Sequence, residues 1–166
     1  NGVVIGLGTE IAGGIIINGT LYRGSSETAG EFSSILTDFK NPNNEKRFGK
    51  IGGHKNLTDA YKDKKCAIDS HELFEKYKEG DETAKEVIGD YAETIAAGIV
   101  TIQSVLDAEK FCIGGGISNQ GENLLRPLRK IIEEERYTKH NDKQTVICKA
   151  TLGNDAGIVG AAVLGM

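Results

Sequence analysis

A glycine-rich segment near the start of the chain carries residues suited to binding an anion. Residues 6–14 contain four glycines and Thr9, and they lie between the apolar residues 3–5 and 15–17. Glycine has no side chain to block a close ligand, so backbone N–H groups of such a turn can face a phosphate. The hydroxyl of Thr9 adds a further donor. The segment therefore predicts a phosphate cradle, with a plain hairpin turn as the alternative.

A second glycine run, residues 114–116, follows the apolar residues 111–113. Open α/β sheets bind ligands beyond the carboxyl ends of their strands. Two glycine turns at one such edge can hold the phosphates and the nucleoside of a single nucleotide. We interpret the two segments together, because one glycine turn alone has little specificity.

The elements that must position these turns follow from local patterns. Runs of Val and Ile favour strands, and Asn18-Gly19 is a strong hairpin signal. Residues 2–23 are therefore predicted as a three-stranded meander. Residues 24–53 are predicted to be a long irregular region, which in a compact domain is usually functional or mobile.

Helices are predicted in the second third of the chain. Asp69 with Glu72 three residues later forms a capping-box pattern, and Gly80 is placed to end the short helix behind it. Asp81 is predicted to cap the longest helix, in which apolar residues recur in steps of three and four. The other predicted elements are a helix from about residue 55, a strand at 109–113, a helix around 124–132 with Pro127 in its first turn or at a kink, a strand at 145–148, a turn at 152–157 and a helix at 158–164.

The order of these elements predicts the fold class. Three adjacent strands come first, and the last two strands are joined through a helix, as in a parallel crossover. Residues 96–100 of the longest helix are apolar nearly all round, so this part is expected to lie deep against the sheet. We expect an α/β fold forming one domain over residues 1–166.

Composition and charge argue against several classes of function. A chain of 166 residues is long enough for one domain with a real core. Its net charge of −4 argues against a nucleic-acid surface, which needs a basic stripe. No run approaches the roughly 18 apolar residues of a membrane span, and nothing at the start marks export.

The cysteines and the first residues support two further expectations. Cys66, Cys112 and Cys148 are an odd number with no paired spacing, which favours free thiols in a reducing cytoplasm over the alternative of a disulfide framework. No Cys/His cluster has the spacing of a zinc site. The chain has no initiator Met and begins almost directly in an apolar run, so we expect it to be a piece of a longer protein.

Four segments in a fixed order resemble the motifs of a known family. They are Gly8-Thr9-Glu10-Ile11-Ala12-Gly13-Gly14, then Ala29-Gly30-Glu31-Phe32-Ser33-Ser34, then Leu106-Asp107-Ala108-Glu109 through Ser118, and finally residues 152–157. Over nearly its whole length the chain is similar to the C-terminal lobe of the ROK family (repressors, open reading frames and sugar kinases). The resemblance implies the lobe of an actin-like or hexokinase-like ATPase, with a ribonuclease H-like α/β fold.

The resemblance also implies roles for particular residues. Gly8 and Thr9 would contact the β- and γ-phosphates of ATP, and Gly115 and Gly116 would pack against the adenosine. Glu31 would hydrogen-bond hydroxyl groups of a hexose, since a fixed carboxylate offers two acceptor oxygens. A loop carboxylate in solvent is the alternative for Glu31. ATP with Mg²⁺ would be the cofactors, and a homodimer is usual in the family.

Three departures from the family pattern qualify these roles. Glu10 replaces a glycine of the phosphate turn, and a carboxylate ~6 Å from a phosphate charge costs about 3 kcal/mol at an effective dielectric of ~20. Ala12 is a second lost glycine. Ser33-Ser34 stands where the family has Gly-His, and the family's cysteine cluster is absent, so no zinc is expected. The third departure is that the lobe with the catalytic Asp base is not in this chain.

These observations predict the C-terminal lobe of a sugar kinase that moves the γ-phosphoryl group of ATP to a hexose hydroxyl. The lobe alone is expected to be inactive, because it has no catalytic base. A sugar-sensing ROK transcriptional regulator and a non-catalytic interaction module are the alternatives. Asn154-Asp155 invites a catalytic interpretation, but its place before a helix predicts an N-cap instead.

Overall fold

The computed structural model describes residues 1–41, 46–156 and 162. The helix predicted at 158–164 lies, except for residue 162, outside the described residues. In chain order the elements are β1 (Gly2–Leu7), β2 (Ile11–Ile17), β3 (Thr20–Leu21), a 3₁₀ helix (Phe32–Ser34), α1 (Phe48–Ile51), α2 (His54–Lys64), α3 (Ser70–Glu79), α4 (Glu82–Leu106), β4 (Lys110–Gly114), a 3₁₀ helix (Gly116–Gln120), α5 (Glu122–Glu135), β5 (Val146–Lys149) and a 3₁₀ helix (Gly153–Asp155).

The strands form one mixed sheet in the order β3-β2-β1-β4-β5. The first three strands pair antiparallel, whereas β4 pairs parallel with both β1 and β5. The predicted meander and the predicted parallel crossover are both confirmed. Because β1 is central and runs parallel to β4, the loops that follow these two strands lie at the same edge of the sheet.

The turn in the first glycine segment is shorter than the composition of residues 6–14 predicts. β1 continues to Leu7 and β2 begins at Ile11, so the turn is only residues 8–10. Gly13 and Gly14 belong to β2, where they pair with Ile5 and Val4. The prediction of a turn over residues 6–14 was wrong, because the antiparallel ladder carries these glycines into the strand.

The hairpin and cap predictions are confirmed. Asn18 and Gly19 both have positive φ, at 51° and 79°, as the two central residues of a type I′ hairpin require. Asp69 accepts a hydrogen bond from the N–H of Glu72 at 2.8 Å. Asp81 does the same for the third residue of α4, also at 2.8 Å. These side chains satisfy N–H groups that have no partner inside the helix.

Helix α4 and one face of the sheet supply most of a single apolar core. The strand residues Val3, Ile5 and Leu7 alternate inward, as expected where one face of a strand is covered. Of the part of the helix predicted to lie deep, Ala96, Gly98 and Ile99 are buried, whereas Ala97 is exposed. The α4 side of the core consists of Ala84, Val87, Ile88, Tyr91, Ala92, Ile95, Ala96, Gly98, Ile99 and Ile102.

Two sequence expectations need correction. Residues 24–53 are not wholly irregular, since they contain a 3₁₀ helix at Phe32–Ser34 and the short helix α1. Helix α1 docks on α4, where the ring of Phe48 fills the space beside Gly98. Pro127 lies in the interior of α5, as its sixth residue, and not in its first turn. In the described part of the chain, none of the helices combines the length and the hydropathy that a membrane span requires.

Candidate functional site

The structure brings the two glycine segments together. Gly6 of β1 lies directly opposite Gly114 of β4, so residues 8–10 and Gly115 leave the same edge of the sheet. Parallel pairing is what produces this neighbourhood, because it places the carboxyl ends of both strands side by side. The prediction that both segments serve one site therefore has a geometric basis.

A cavity of about 530 Å³ lies between these segments. Its lining is almost free of side chains beyond a methyl group, and we call it the glycine cavity. The lining residues are Val4, Gly6, Ala12, Gly13, Gly14, Gly114, Gly115, Ala150, Gly153 and Ala156. Such a lining lets a flat or phosphorylated ligand reach the backbone closely. The residues present thus fit a nucleotide.

Gly115 is a position that only glycine can occupy. Its φ is +81°, and a Cβ there would collide with the backbone of Leu7. The chain therefore crosses over the end of β1 as it leaves β4. Gly116 differs, since a Cβ at that position would meet nothing within 4 Å. Gly116 is exposed and begins the 3₁₀ helix Gly116–Gln120.

The turn at residues 8–10, which we call the phosphate turn after its predicted role, is held against the start of α2. The N–H of His54, the first residue of α2, donates to the carbonyl of Gly8 at 2.8 Å. The N–H of Gly8 donates within the turn, to the carbonyl of Glu10 at 3.2 Å. Thr9 is exposed at the tip. Of the four predicted nucleotide contacts, Gly115 is among the residues that line the glycine cavity, whereas Gly8, Thr9 and Gly116 are not.

Glu10, whose carboxylate is expected from the sequence to repel a phosphate, has a cationic partner. One carboxylate oxygen lies 3.1 Å from Nζ of Lys50 on α1. Ser33 donates to the carbonyl of Ile11 at 2.6 Å, and its Oγ lies 3.5 Å from the other Glu10 oxygen. The negative charge beside the phosphate turn is therefore compensated within the protein.

The loop that carries Glu31 is packed onto β2 by glycines. Gly30 has a φ of +93°, and its backbone lies so close to Gly13 that neither residue has room for a side chain. The buried ring of Phe32 covers Gly13. Glu31 itself is exposed between these two buried neighbours. The loop thus fixes its backbone and leaves the carboxylate free to meet a ligand or solvent.

Two polar cavities flank the Glu10–Lys50 pair. One, of about 500 Å³, is lined by Glu10, Ser33, Ser34, Arg47 and Lys50. The other, of about 340 Å³, is lined by Thr9, Glu10, Lys50, Ile51, Lys55, Asn56 and Asp59, and Nζ of Lys55 lies 3.7 Å from a carboxylate oxygen of Asp59. Sequence reasoning missed Lys50 and Lys55, because nothing local in the chain indicates which turn a lysine side chain will face.

A buried tyrosine supports the connection between α1 and α2. The hydroxyl of Tyr91, on α4, donates to the carbonyl of Gly52 at 3.1 Å. Burial raises the pKa of Tyr91 far above its ordinary value, so the hydroxyl stays protonated and remains a donor. Gly53, the next residue, packs against the carbonyl of Thr9. Tyr91 therefore supports the backbone on which the phosphate turn rests.

The remaining sequence predictions are placed as follows. Within the described part of the chain, no group of three or more His, Cys, Asp or Glu residues is arranged to hold a metal ion. Asp155 lies in the 3₁₀ helix Gly153–Asp155. The helix it was predicted to cap falls mainly outside the described residues, so its N-cap role stays a prediction.

Several known proteins resemble this chain in sequence or in fold. A glucokinase from Halalkalibacterium halodurans is 29% identical over 99% of the chain and 56% of its own length. An N-acetylmannosamine kinase from Salmonella typhi is 26% identical over 98% of the chain and 55% of its own length. The crystal structure of a ROK family glucokinase from Streptomyces griseus, in complex with glucose and AMPPNP, superposes with a TM-score of 0.89 at 26% identity, covering 98% of this chain and 59% of that one.

The chain spans a little over half the length of the curated kinases it matches. The family model of the ROK family matches residues 1–166. The four ordered motifs, the sheet order and the glycine cavity agree with that match. The chain therefore belongs to the ROK family.

Proposed function

We propose that this chain is the C-terminal lobe of a cytoplasmic hexose kinase, which transfers the γ-phosphoryl group of ATP to a sugar hydroxyl. The observation that carries the proposal is the convergence of both glycine segments on one cavity at the carboxyl ends of β1 and β4. Family membership supports it, since similar proteins include a glucokinase and an N-acetylmannosamine kinase. The rest of the whole protein would supply the second lobe, and the family resemblance favours a homodimer.

In this proposal each predicted residue has a defined task. The backbone around Gly115 and Gly116 receives the adenosine, where side chains would obstruct it. Thr9 holds the β- and γ-phosphates, and Gly8, whose N–H donates within the turn, leaves room for them to approach. Lys50 and Lys55 offset the nearby carboxylates of Glu10 and Asp59. ATP brings Mg²⁺, which neutralises charge on the transferred group. Glu31 accepts hydrogen bonds from sugar hydroxyls and so orients the nucleophile.

The catalytic base is not assigned to this chain. Phosphoryl transfer needs a residue that takes the proton of the attacking hydroxyl, and the resemblance places that Asp in the other lobe. Catalysis by this lobe would therefore consist of positioning and charge stabilisation.

The test is ADP formation by the full-length protein with ATP, Mg²⁺ and a panel of hexoses. Glu31→Gln should raise KM for the sugar by about 10- to 100-fold, because a hydrogen bond to a charged group contributes roughly 1.5–3 kcal/mol. Its KM for ATP should stay near the wild-type value. Thr9→Val should show the opposite pattern, with a larger rise in KM for ATP than in KM for the sugar.

Two results would contradict the proposal. Sugar binding by calorimetry without ADP formation from any hexose would favour the sugar-sensing regulator. A full-length protein that binds neither sugar nor ATP would favour the interaction module, and Glu10→Gly serves as the control for a site blocked by that carboxylate.

A further inference from the structure

Two cysteines that the proposed function does not use lie side by side in the sheet. Cys112 of β4 is directly opposite Cys148 of β5 in the parallel register, and their Sγ atoms are 3.7 Å apart. Directly opposed residues of neighbouring strands point to the same face of the sheet. The two thiols therefore face each other although they are 36 residues apart in sequence.

The backbone geometry at this pair suits a covalent bridge. Neighbouring strands lie about 4.8 Å apart, which falls inside the roughly 4.4–6.8 Å between Cα atoms that disulfides span. The sulfurs need only approach from 3.7 Å to the bond length of about 2.05 Å, and rotation about the Cα–Cβ bonds moves them by that much.

Both thiols are also within reach of a small reagent. Cys112 and Cys148 are partly exposed, and both are free thiols in the structure. Burial raises the pKa of the Cys112 thiol, so its resting form at neutral pH is the protonated thiol. Cys66 is exposed on the segment after α2 and lies outside the sheet, which makes it an internal comparison.

We propose that Cys112 and Cys148 form a dithiol modification site that low-molecular-weight disulfides oxidise to an intramolecular disulfide. One thiolate attacks a sulfur of the reagent, giving a mixed disulfide and releasing one small thiol. The second cysteine then attacks the protein sulfur of that mixed disulfide and releases the other small thiol. The two protein thiols lose two electrons and two protons, and the reagent disulfide gains both to become two thiols.

The disulfide would connect the edge strand of the sheet covalently to its neighbouring strand. It joins β4 to the edge strand β5 and closes the loop that contains α5. A disulfide across a loop of this length restricts the unfolded chain and so stabilises the folded state. The oxidised protein should therefore unfold at a higher temperature than the reduced protein.

The experiment treats the full-length native protein with oxidised glutathione and maps its cysteines by mass spectrometry after trypsin digestion without reductant. Cleavage after Lys and Arg, except before Pro, leaves Cys112 in peptide 111–129, Cys148 in peptide 144–149 and Cys66 in peptide 66–76. We expect peptides 111–129 and 144–149 to appear as one linked species that has lost two hydrogen atoms. Cys66 should appear as the glutathione adduct, which shows that the reagent has acted.

Serine variants supply the matched controls. In the Cys112→Ser variant, Cys148 should appear as a glutathione adduct. In the Cys148→Ser variant, Cys112 should appear as one. Both should lose the rise in unfolding temperature on oxidation, while Cys66→Ser should keep it. The proposal is overturned if wild-type Cys112 and Cys148 each carry glutathione without a link, or if both stay reduced while Cys66 is modified. Because the readout is a covalent link, it does not depend on kinase activity.

Discussion

The charge of Glu10 is unpaired in a reading of the sequence but has a partner in the structure. In the sequence it is a carboxylate in a turn proposed to hold phosphate. In the folded chain, Lys50 lies 3.1 Å away and Ser33 approaches from the other side. The pair is about half exposed, so its contribution to stability is small. In the proposed site, its greater effect would be on the electric field that the phosphates of ATP meet at residues 8–10.

We predict that Lys50→Met raises KM for ATP by up to about fivefold, which corresponds to the ~1 kcal/mol of an exposed ion pair. The uncompensated carboxylate of Glu10 would then repel the phosphates. The measurement is steady-state ADP formation by the full-length protein. The double variant Glu10→Gln with Lys50→Met is the control and should return KM towards wild type. An unchanged KM in the single variant would show that Glu10 does not face the phosphates.

Alanine substitutions at Gly115 and Gly116 should separate effects on folding stability from effects on nucleotide binding. Gly115→Ala should destabilise the fold by about 2 kcal/mol or more, because its φ of +81° and its contact with Leu7 both exclude a side chain. Gly116→Ala should leave the unfolding temperature unchanged, because its Cβ would meet open space.

If Gly116 packs against adenosine as proposed, Gly116→Ala should still raise KM for ATP. Thermal unfolding and ADP formation, measured on both variants, give the two readouts. Full stability together with an unchanged KM for ATP would remove Gly116 from the nucleotide site.

At the scale of elements, the phosphate turn depends on helices that are distant in sequence. Helix α1 is only four residues long, too short to be stable alone. It is held because the ring of Phe48 fills the space beside Gly98 of α4 and because Tyr91 bonds Gly52. The buried face of α4 thus positions α1, and with it Lys50.

Two glycines of α4 provide a matched test of this packing. Gly98→Ala should destabilise the protein by about 1–3 kcal/mol, because its Cβ would overlap the Phe48 ring. Gly89→Ala, where a Cβ would meet nothing within 4 Å, should stabilise it by roughly 0.5–1 kcal/mol through helix propensity. Urea unfolding of both variants checks the prediction. Equal changes in the free energy of unfolding of the two variants would mean that α1 can move away from Gly98 without destabilising the protein.

At the scale of the whole molecule, the proposed site is shared between two lobes. The sheet edge and its glycine cavity belong to this chain, whereas the proposed base does not. The proposed phosphoryl transfer needs donor and acceptor held in line, so in this proposal neither lobe completes the geometry alone.

We therefore predict that the isolated 166-residue chain forms no ADP above background with ATP, Mg²⁺ and hexose. A coupled ADP assay checks this, with the full-length protein as the positive control. Circular dichroism on the isolated chain must show folded α/β structure for the comparison to hold. Turnover by the isolated chain would contradict the assignment of the base to the other lobe.

What the sequence determined by itself was local or motif-based. The hairpin at Asn18-Gly19, the caps at Asp69 and Asp81, and the long amphipathic helix follow from short-range patterns, because the groups that satisfy each other are neighbours in the chain. The ordered motifs gave the family and, through it, the fold. Strand ends and the turn at residues 8–10 were less well predicted, because pairing partners decide where a strand stops.

Only the tertiary structure decided which distant residues meet. The packing of Gly30 and Phe32 onto Gly13, the pairing of Lys50 with Glu10, and the facing thiols of β4 and β5 all join separate segments. Such contacts depend on strand register and helix docking, where a shift of one residue turns every side chain to the other face. No local pattern in the chain records that register, so these contacts became visible only when the sheet and α4 were assembled.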